Sequence, residues 1–108
     1  MIQYFKYINN RIVEVPGYQH DCWINISPPF NPEELKSLSD KLTIPMDFLN
    51  DSMDIEERPR FEVEDGVKFI VIKTPISNEH SSSSTDTLHF TVPIGIILVG
   101  DDVVTISP

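Results

Sequence analysis

The acidic residues in the middle of the chain are the side chains whose types and spacing could do chemistry. Asp47, Asp51 and Asp54 stand at positions i, i+4 and i+7, which lie on one face of a helix, and Asn50 is adjacent. Carboxylate and amide oxygens are ligands for hard divalent cations. Carboxylates at this spacing also form ordinary solvated helix faces, and taken alone the sequence favours that interpretation.

The chain carries no motif that is typical of an enzyme. His20, His80 and His89 are far apart and lack the spacing of metal ligands, so we interpret them as loop or surface residues. Cys22 stands beside Trp23 in a strand-like segment with alternating apolar residues, which predicts a buried, unreactive thiol. The 4 glycines form no phosphate-binding loop, and no serine occupies a nucleophile elbow. We therefore predict that the protein is not an enzyme and holds no tightly bound cofactor.

The charge balance excludes several classes of partner. The sequence has 8 Lys and Arg against 17 Asp and Glu, a formal net charge of −9 at pH 7. Such a charge repels phosphate backbones and anionic lipid surfaces, so we expect no nucleic-acid partner. Arg58 and Arg60 directly follow Glu56 and Glu57, and we expect them to offset part of the local negative charge. The longest apolar stretch, Val92–Val99, is too short to span a bilayer, which needs about 20 residues.

Two helices are predicted between the strand-like segments. Asn31 is a suitable N-cap for the first helix, and Pro32 then occupies its first position. The apolar stripe of this helix has the spacing of one buried face and consists of Leu35, Leu38 and Leu42. The second helix is expected to open at Pro45. Its predicted stripe consists of Met46, Leu49 and Met53, with Phe48 beside it.

Seven segments carry β-branched and aromatic residues bounded by turn residues, which predicts strands. They are Ile2–Ile8, Arg11–Val15, Cys22–Ser27, Pro59–Val63, Val67–Lys73, Thr87–Leu98 and Val103–Ile106. Pro93 and Gly95 predict a bulge or a break in the sixth segment, and Ser77–Asp86 is interpreted as a long, mobile hairpin loop. Two helices among about seven strands predict one α/β, or α+β-like, domain with a mixed sheet and the helices packed on it.

Several short motifs, in this order and with these gaps, resemble a known family. They are Trp23-Ile24-Asn25-Ile26, Ile44-Pro45, Phe48-Leu49-Asn50-Asp51, Glu57-Arg58-Pro59-Arg60, Phe69-Ile70-Val71-Ile72, Ile96-Ile97-Leu98 and Val103-Val104-Thr105-Ile106. Each motif is weak alone, but the ordered set resembles the N-terminal cytoplasmic domain of the CorA family of magnesium transport proteins. The resemblance covers about residues 22–107, and the first twenty residues match only as a strand pair.

The resemblance implies the role of a domain within a larger transporter. Proteins of this family are homopentameric channels for Mg²⁺ that often admit Co²⁺ and Ni²⁺. Their N-terminal domain precedes a long stalk helix and two membrane helices, the first of which ends in a Gly-Met-Asn signature. None of these later parts is found in this sequence. We therefore expect residues 1–108 to be a single regulatory domain on the cytoplasmic side of the cell membrane, either excised or naturally truncated. Its implied partners are its own stalk and transmembrane regions and the neighbouring subunits.

The resemblance also implies a pair of metal ligands. In the family, regulatory Mg²⁺ binds between neighbouring subunits and holds the pore closed, with ligands from an acidic pair on the short helix. This pair corresponds here to Asn50 and Asp51. Asp51 keeps the carboxylate, whereas Asn50 keeps an oxygen ligand but lacks the charge. Mg²⁺ is thus the regulatory ion as well as the transported ion of the implied full-length protein.

Two other classes of function remain open from the sequence. The chain could be a stand-alone protein-interaction module with the same fold, because a fold does not fix a function. It could also be an enzyme whose catalytic residues are too dispersed along the chain to form a recognisable motif.

Overall fold

The computed structural model describes residues 1–77 and 89–108 of the chain. The segment interpreted as a hairpin loop, Ser77–Asp86, lies outside these residues except for its first position. The elements in chain order are β1 Ile2–Ile8, β2 Arg11–Val15, β3 Trp23–Ile26, α1 Pro32–Leu42, α2 Met46–Ser52, β4 Arg60–Glu64, β5 Val67–Ser77, β6 His89–Val99 and β7 Asp102–Ile106. Both predicted helices and all seven predicted strands are thus present, with their ends shifted by a few residues.

One mixed sheet in the order β2-β1-β3-β7-β6-β5-β4 contains the strands of the described residues. Strand β3 pairs with β7 in parallel, from Trp23 opposite Val103 to Ile26 opposite Ile106, and the other neighbouring strands are antiparallel. Between β3 and β7 the chain passes through both helices and then through β4, β5 and β6, which form the other half of the sheet. This confirms the predicted mixed sheet.

Both helices cover the same face of the sheet, which we call the inner face. Its central side chains are almost fully buried, with exposed fractions of 0–2% for Ile24, Phe69, Ile97 and Val104 among others. Alternate residues of a strand point to opposite faces. The burial of Cys22, Ile24 and Ile26, with Trp23 on the other side, therefore confirms the predicted alternation in the third strand.

The first helix follows its predicted boundary signals. The Asn31 side chain accepts hydrogen bonds from the backbone N–H groups of Glu33 and Glu34, at 2.9 and 3.2 Å. Leu35 and Leu38 are buried against the sheet. The helix ends at Thr43, which has left-handed backbone angles. Neither helix of the described residues is long and apolar enough to cross a membrane.

The second helix meets the sheet differently from its predicted stripe. Phe48, Leu49 and Ser52 are its buried residues, whereas the flanking Met46 and Met53 are only partly buried. The helix can approach the sheet closely because Gly95 of β6 lies beneath Ser52. A Cβ atom at Gly95 would stand only 1.9 Å from Ser52 Oγ.

The same contact corrects the interpretation of the sixth strand. The prediction of a bulge or break at Pro93 and Gly95 is wrong, because β5 and β6 pair without interruption from Lys68–Leu98 to Ser77–His89. Gly95 serves the close approach of α2. Pro93 lies beyond the last residue pair between β6 and β7, so there is no ladder on that side for it to interrupt.

Candidate divalent-cation site

Helix α2 carries two of the three acidic residues that were predicted to share one helix face. Asp47 and Asn50 are exposed on the helix, and Asp51 in its last turn is half-buried. Asp54 lies beyond the helix end, where its Oδ1 accepts a hydrogen bond from the Glu56 N–H at 2.9 Å. Asp47 and Asp51 therefore keep the predicted i, i+4 spacing on one helix, whereas Asp54 does not share that face because the helix ends before it.

The carboxylate of Asp51 contacts a guanidinium from the edge strand. Arg60 Nη2 donates to Asp51 Oδ2 at 2.5 Å, and Arg60 Nε donates to Glu62 Oε2 at 3.0 Å. Arg60 Nη1 also donates to Glu57 Oε1. One guanidinium thus lies among three carboxylates, which is the local offset of charge that the sequence predicted for Arg60.

Arg60 also contacts an aromatic side chain of the core. Its guanidinium lies 5.3 Å from the ring centre of Phe69, which in turn stacks on Phe48 of α2 with 4.6 Å between ring centres. Burial lowers the pKa of Arg60, but its hydrogen bonds to Glu62 and Asp51 and the charges of Glu57 and Asp51 raise it more. The net result is a pKa above its usual range. Arg60 is therefore a permanent cation that connects α2 with β4.

A cation at Asp51 would meet one half-exposed carboxylate that already pairs with Arg60. Three carboxylates around one guanidinium leave an excess of negative charge that is open to solvent, since the side chain of Asp51 is 34% exposed. The neighbouring Asn50 is an exposed residue. Mg²⁺ keeps several of its waters and binds through one or two carboxylates, so a single half-exposed carboxylate suits weak, water-rich coordination. A bound cation would compete with Arg60 for Asp51.

A second acidic cluster was not predicted. His20 Nε2 lies 3.6 Å from Asp21 Oδ1 and 3.4 Å from Asp101 Oδ2, and all three side chains are exposed. No local pattern predicts this group, because Asp101 is distant in the chain and is brought near by the parallel pairing of β3 with β7. His20 is a surface residue, as predicted. His80 and the side chain of His89 lie outside the described residues.

A buried carboxylate was also missed by sequence reasoning. Asp102, the first residue of β7, is 6% exposed. It accepts hydrogen bonds from the Cys22 N–H at 2.9 Å and from the Tyr18 hydroxyl at 2.7 Å. The hydrogen bond to Asp102, together with burial and nearby negative charge, raises the pKa of Tyr18 to about 12. Both carboxylate oxygens of Asp102, at the start of β7, thus bind the segment that precedes β3.

Comparison with solved structures identifies the class of fold. The soluble domain of CorA from Methanocaldococcus jannaschii matches 98% of this chain with a TM-score of 0.72 and 22% sequence identity. The complete structure of the CorA magnesium transporter from the same organism also matches 98%, with a TM-score of 0.69 and 22% identity. This chain has the fold of the CorA soluble domain, as the resemblance in sequence predicted.

The match covers only part of those proteins. The chain spans 40% of the first of the two structures and 32% of the second. No protein-family model matches the sequence, and no curated protein matches it either.

Proposed function

We propose that this chain is the cytoplasmic N-terminal domain of a CorA-like transporter of divalent cations, magnesium and cobalt, in the cell membrane. The observation that carries this proposal is the match of 98% of the chain to the soluble domain of CorA, on a fold with seven strands in one mixed sheet. In this role the domain works with its own stalk and transmembrane regions and with neighbouring subunits of a homopentamer. The transported Mg²⁺ passes through another part of that assembly, and this domain regulates the transport.

The proposed regulation acts through Asp51 and Asn50. At low Mg²⁺ concentration, Arg60 holds the carboxylate of Asp51 at 2.5 Å, as in this structure. At higher concentration, the carboxylate exchanges the guanidinium for a hydrated cation that a neighbouring subunit also contacts. Without a cation the acidic surfaces of two subunits repel each other, so the cation favours the assembly in which they are bridged.

This arrangement explains why the affinity must be low. A sensor of cytoplasmic Mg²⁺ has to change occupancy near millimolar concentrations, and one carboxylate shared with a guanidinium gives such weak binding. We therefore expect the isolated chain to bind Mg²⁺ poorly and to be monomeric or weakly associated, because the neighbour's ligands are absent and a charge of −9 opposes self-association. A site with a dissociation constant well below millimolar in the isolated chain would contradict a shared ion.

Two experiments test the proposal. The codons that follow Pro108 in the gene should encode a long helix and two apolar segments with Gly-Met-Asn, and a stop codon at that point would contradict a transporter. In the longer protein, Mg²⁺ should protect against proteolysis, and Asp51→Ala should raise the concentration that gives half protection. Asp47→Ala is the matched control, because Asp47 is exposed on the same helix and makes no ion pair with the described residues. Equal shifts for the two variants would overturn the role of Asp51.

A stand-alone protein-interaction module is the second candidate. The face of the sheet opposite the helices favours it, because large apolar side chains such as Trp23 and Phe61 are exposed there. A stop codon after Pro108 would favour this function over the first.

A further inference from the structure

The three carboxylates that Arg60 contacts belong to three different parts of the chain. Asp51 lies in the last turn of α2, Glu57 in the segment between α2 and β4, and Glu62 on β4 itself. Arg60 and Glu62 are two residues apart on one strand, so both side chains lie on the same face of the sheet. Of the three contacts, only the one with Asp51 therefore joins β4 to helix α2.

The guanidinium of Arg60 keeps most of its partners if Asp51 releases it. Its Nε still donates to Glu62 Oε2, at 3.0 Å in this structure, and its Nη1 still donates to Glu57 Oε1. Its position 5.3 Å from the ring centre of Phe69 does not depend on Asp51 either. A guanidinium has five N–H donors and stays charged, so two carboxylates are enough to hold it. Release of Asp51 therefore costs one ion pair and leaves no unpaired cation.

The charge of this cluster also matches such an exchange. Three carboxylates against one guanidinium leave two negative charges uncompensated, which is the charge of one divalent cation. A divalent cation at Asp51 balances the cluster while Arg60 remains beside Glu57 and Glu62. A monovalent cation in the same place leaves one negative charge uncompensated. The exchange therefore favours a divalent cation on the condition that Arg60 stays on the edge strand.

We propose that Glu62 and Glu57 set the cation concentration at which Asp51 is released, because they hold Arg60 on the edge strand when α2 gives up the guanidinium. This inference rests on the proposed function, in which Asp51 binds the cation. The two glutamates are positioning residues that act through Arg60 and do not bind the cation themselves. Binding of the cation then also breaks the ion pair that joins α2 to β4.

Substitution of Glu62 tests this role. Glu62→Gln removes one of the two carboxylates that hold Arg60, so the guanidinium stays with Asp51 and more Mg²⁺ is needed to displace it. In a titration with MgCl₂ at constant ionic strength, we expect the midpoint of the Asp51 amide shift to rise about threefold, the scale of a partly exposed ion pair. Asp54→Asn is the matched control. It removes a nearby charge that makes no ion pair with Arg60 in residues 1–77 and 89–108, so the midpoint should change less.

The same substitution in an Arg60→Gln protein separates this role from direct binding of the cation. Without the guanidinium Glu62 has nothing to hold, so Glu62→Gln should shift the midpoint much less there than in the native chain. Such non-additivity is the sign of two residues that act through one contact. An equal rise in both proteins would overturn the proposal, because Glu62 would then act on the cation without Arg60.

The side-chain NMR signals of Arg60 give a second test that uses the native chain and no variant. During the titration with MgCl₂, the Nε–H signal should persist because this group stays bonded to Glu62, whereas the Nη signals should change as Asp51 leaves. If the amides of Asn50 and Asp51 respond to Mg²⁺ but the Nη signals of Arg60 do not, this inference fails and the proposed function stands. If none of these signals responds, both fail.

Discussion

The guanidinium of Arg60 contacts the carboxylate of Asp51 at 2.5 Å and ties the last turn of α2 to the edge strand β4. The same guanidinium contacts Glu57 and Glu62 and lies over the ring of Phe69. Asp51, the proposed ligand of the cation, is thus part of a network of charged side chains within its own domain. Its ion pair with Arg60 and its proposed binding of the cation have separate consequences that can be measured.

Removal of the guanidinium should destabilise the fold. Arg60→Ala leaves three carboxylates without their common cation and removes contacts to Phe69, so we expect the free energy of unfolding to fall by about 1–3 kcal/mol. Urea denaturation measures this difference. Lys36→Ala is the control, because it breaks an exposed helical ion pair with Asp40 that contributes about 0.5 kcal/mol or less. Similar losses for both variants would show that the Arg60 cluster is an ordinary surface feature.

Removal of the positive charge should also change the response to Mg²⁺. In Arg60→Gln the Asp51 carboxylate no longer has a competing guanidinium, so half-saturation should move to lower Mg²⁺ concentration. The measurement is the shift of amide NMR signals at Asn50 and Asp51 during titration with MgCl₂ at constant ionic strength. An unchanged midpoint would mean that Arg60 does not compete for Asp51, although Asp51 could still bind the cation.

The close approach of α2 to the sheet should make Gly95 sensitive to substitution. A Cβ atom there would lie 1.9 Å from Ser52 Oγ and 2.6 Å from Ser52 Cβ, so Gly95→Ala should destabilise the protein by about 1–3 kcal/mol. Thermal unfolding measures the loss, and Ser52→Gly in the same chain should recover part of it. Gly17→Ala is the control, since nothing lies within 4 Å of the added atom. A Gly95→Ala protein as stable as the Gly17→Ala protein would contradict this packing.

The hydrogen bond between Tyr18 and Asp102 should affect how the free energy of unfolding depends on pH in alkaline solution. The pKa of Tyr18 rises from 10.0 to about 12 in the folded state. Folding therefore favours the protonated phenol, and its contribution is complete below pH 10 and is lost as pH rises towards 12. Between these pH values, the unfolding free energy should fall more steeply for the native chain than for Tyr18→Phe. If the unfolding free energies of the two proteins fell equally with pH, the hydrogen bond of Tyr18 to Asp102 would be contradicted.

Much of the fold could be predicted because its signals are local. Asn31 and Pro32 mark the start of α1, and strand alternation separates Ile24 from Trp23. The role of Gly95 could not be predicted, since a glycine that accepts a helix and one that makes a bulge look alike in sequence. The ion pair of Asp51 with Arg60 depends on how α2 lies against β4. The group of His20 and Asp101 likewise depends on a parallel strand pairing.

An NMR titration of the chain with MgCl₂ at constant ionic strength measures whether Asp51 binds the cation. We predict shifts localised at Asn50, Asp51 and Arg60, with half-saturation at about millimolar concentration or above, as expected for a cation held by one carboxylate. Asp51→Asn should abolish these shifts, and Asp47→Asn should preserve them. Shifts that are absent from this region, or that the two variants change equally, would show that Asp51 is an ordinary surface acid.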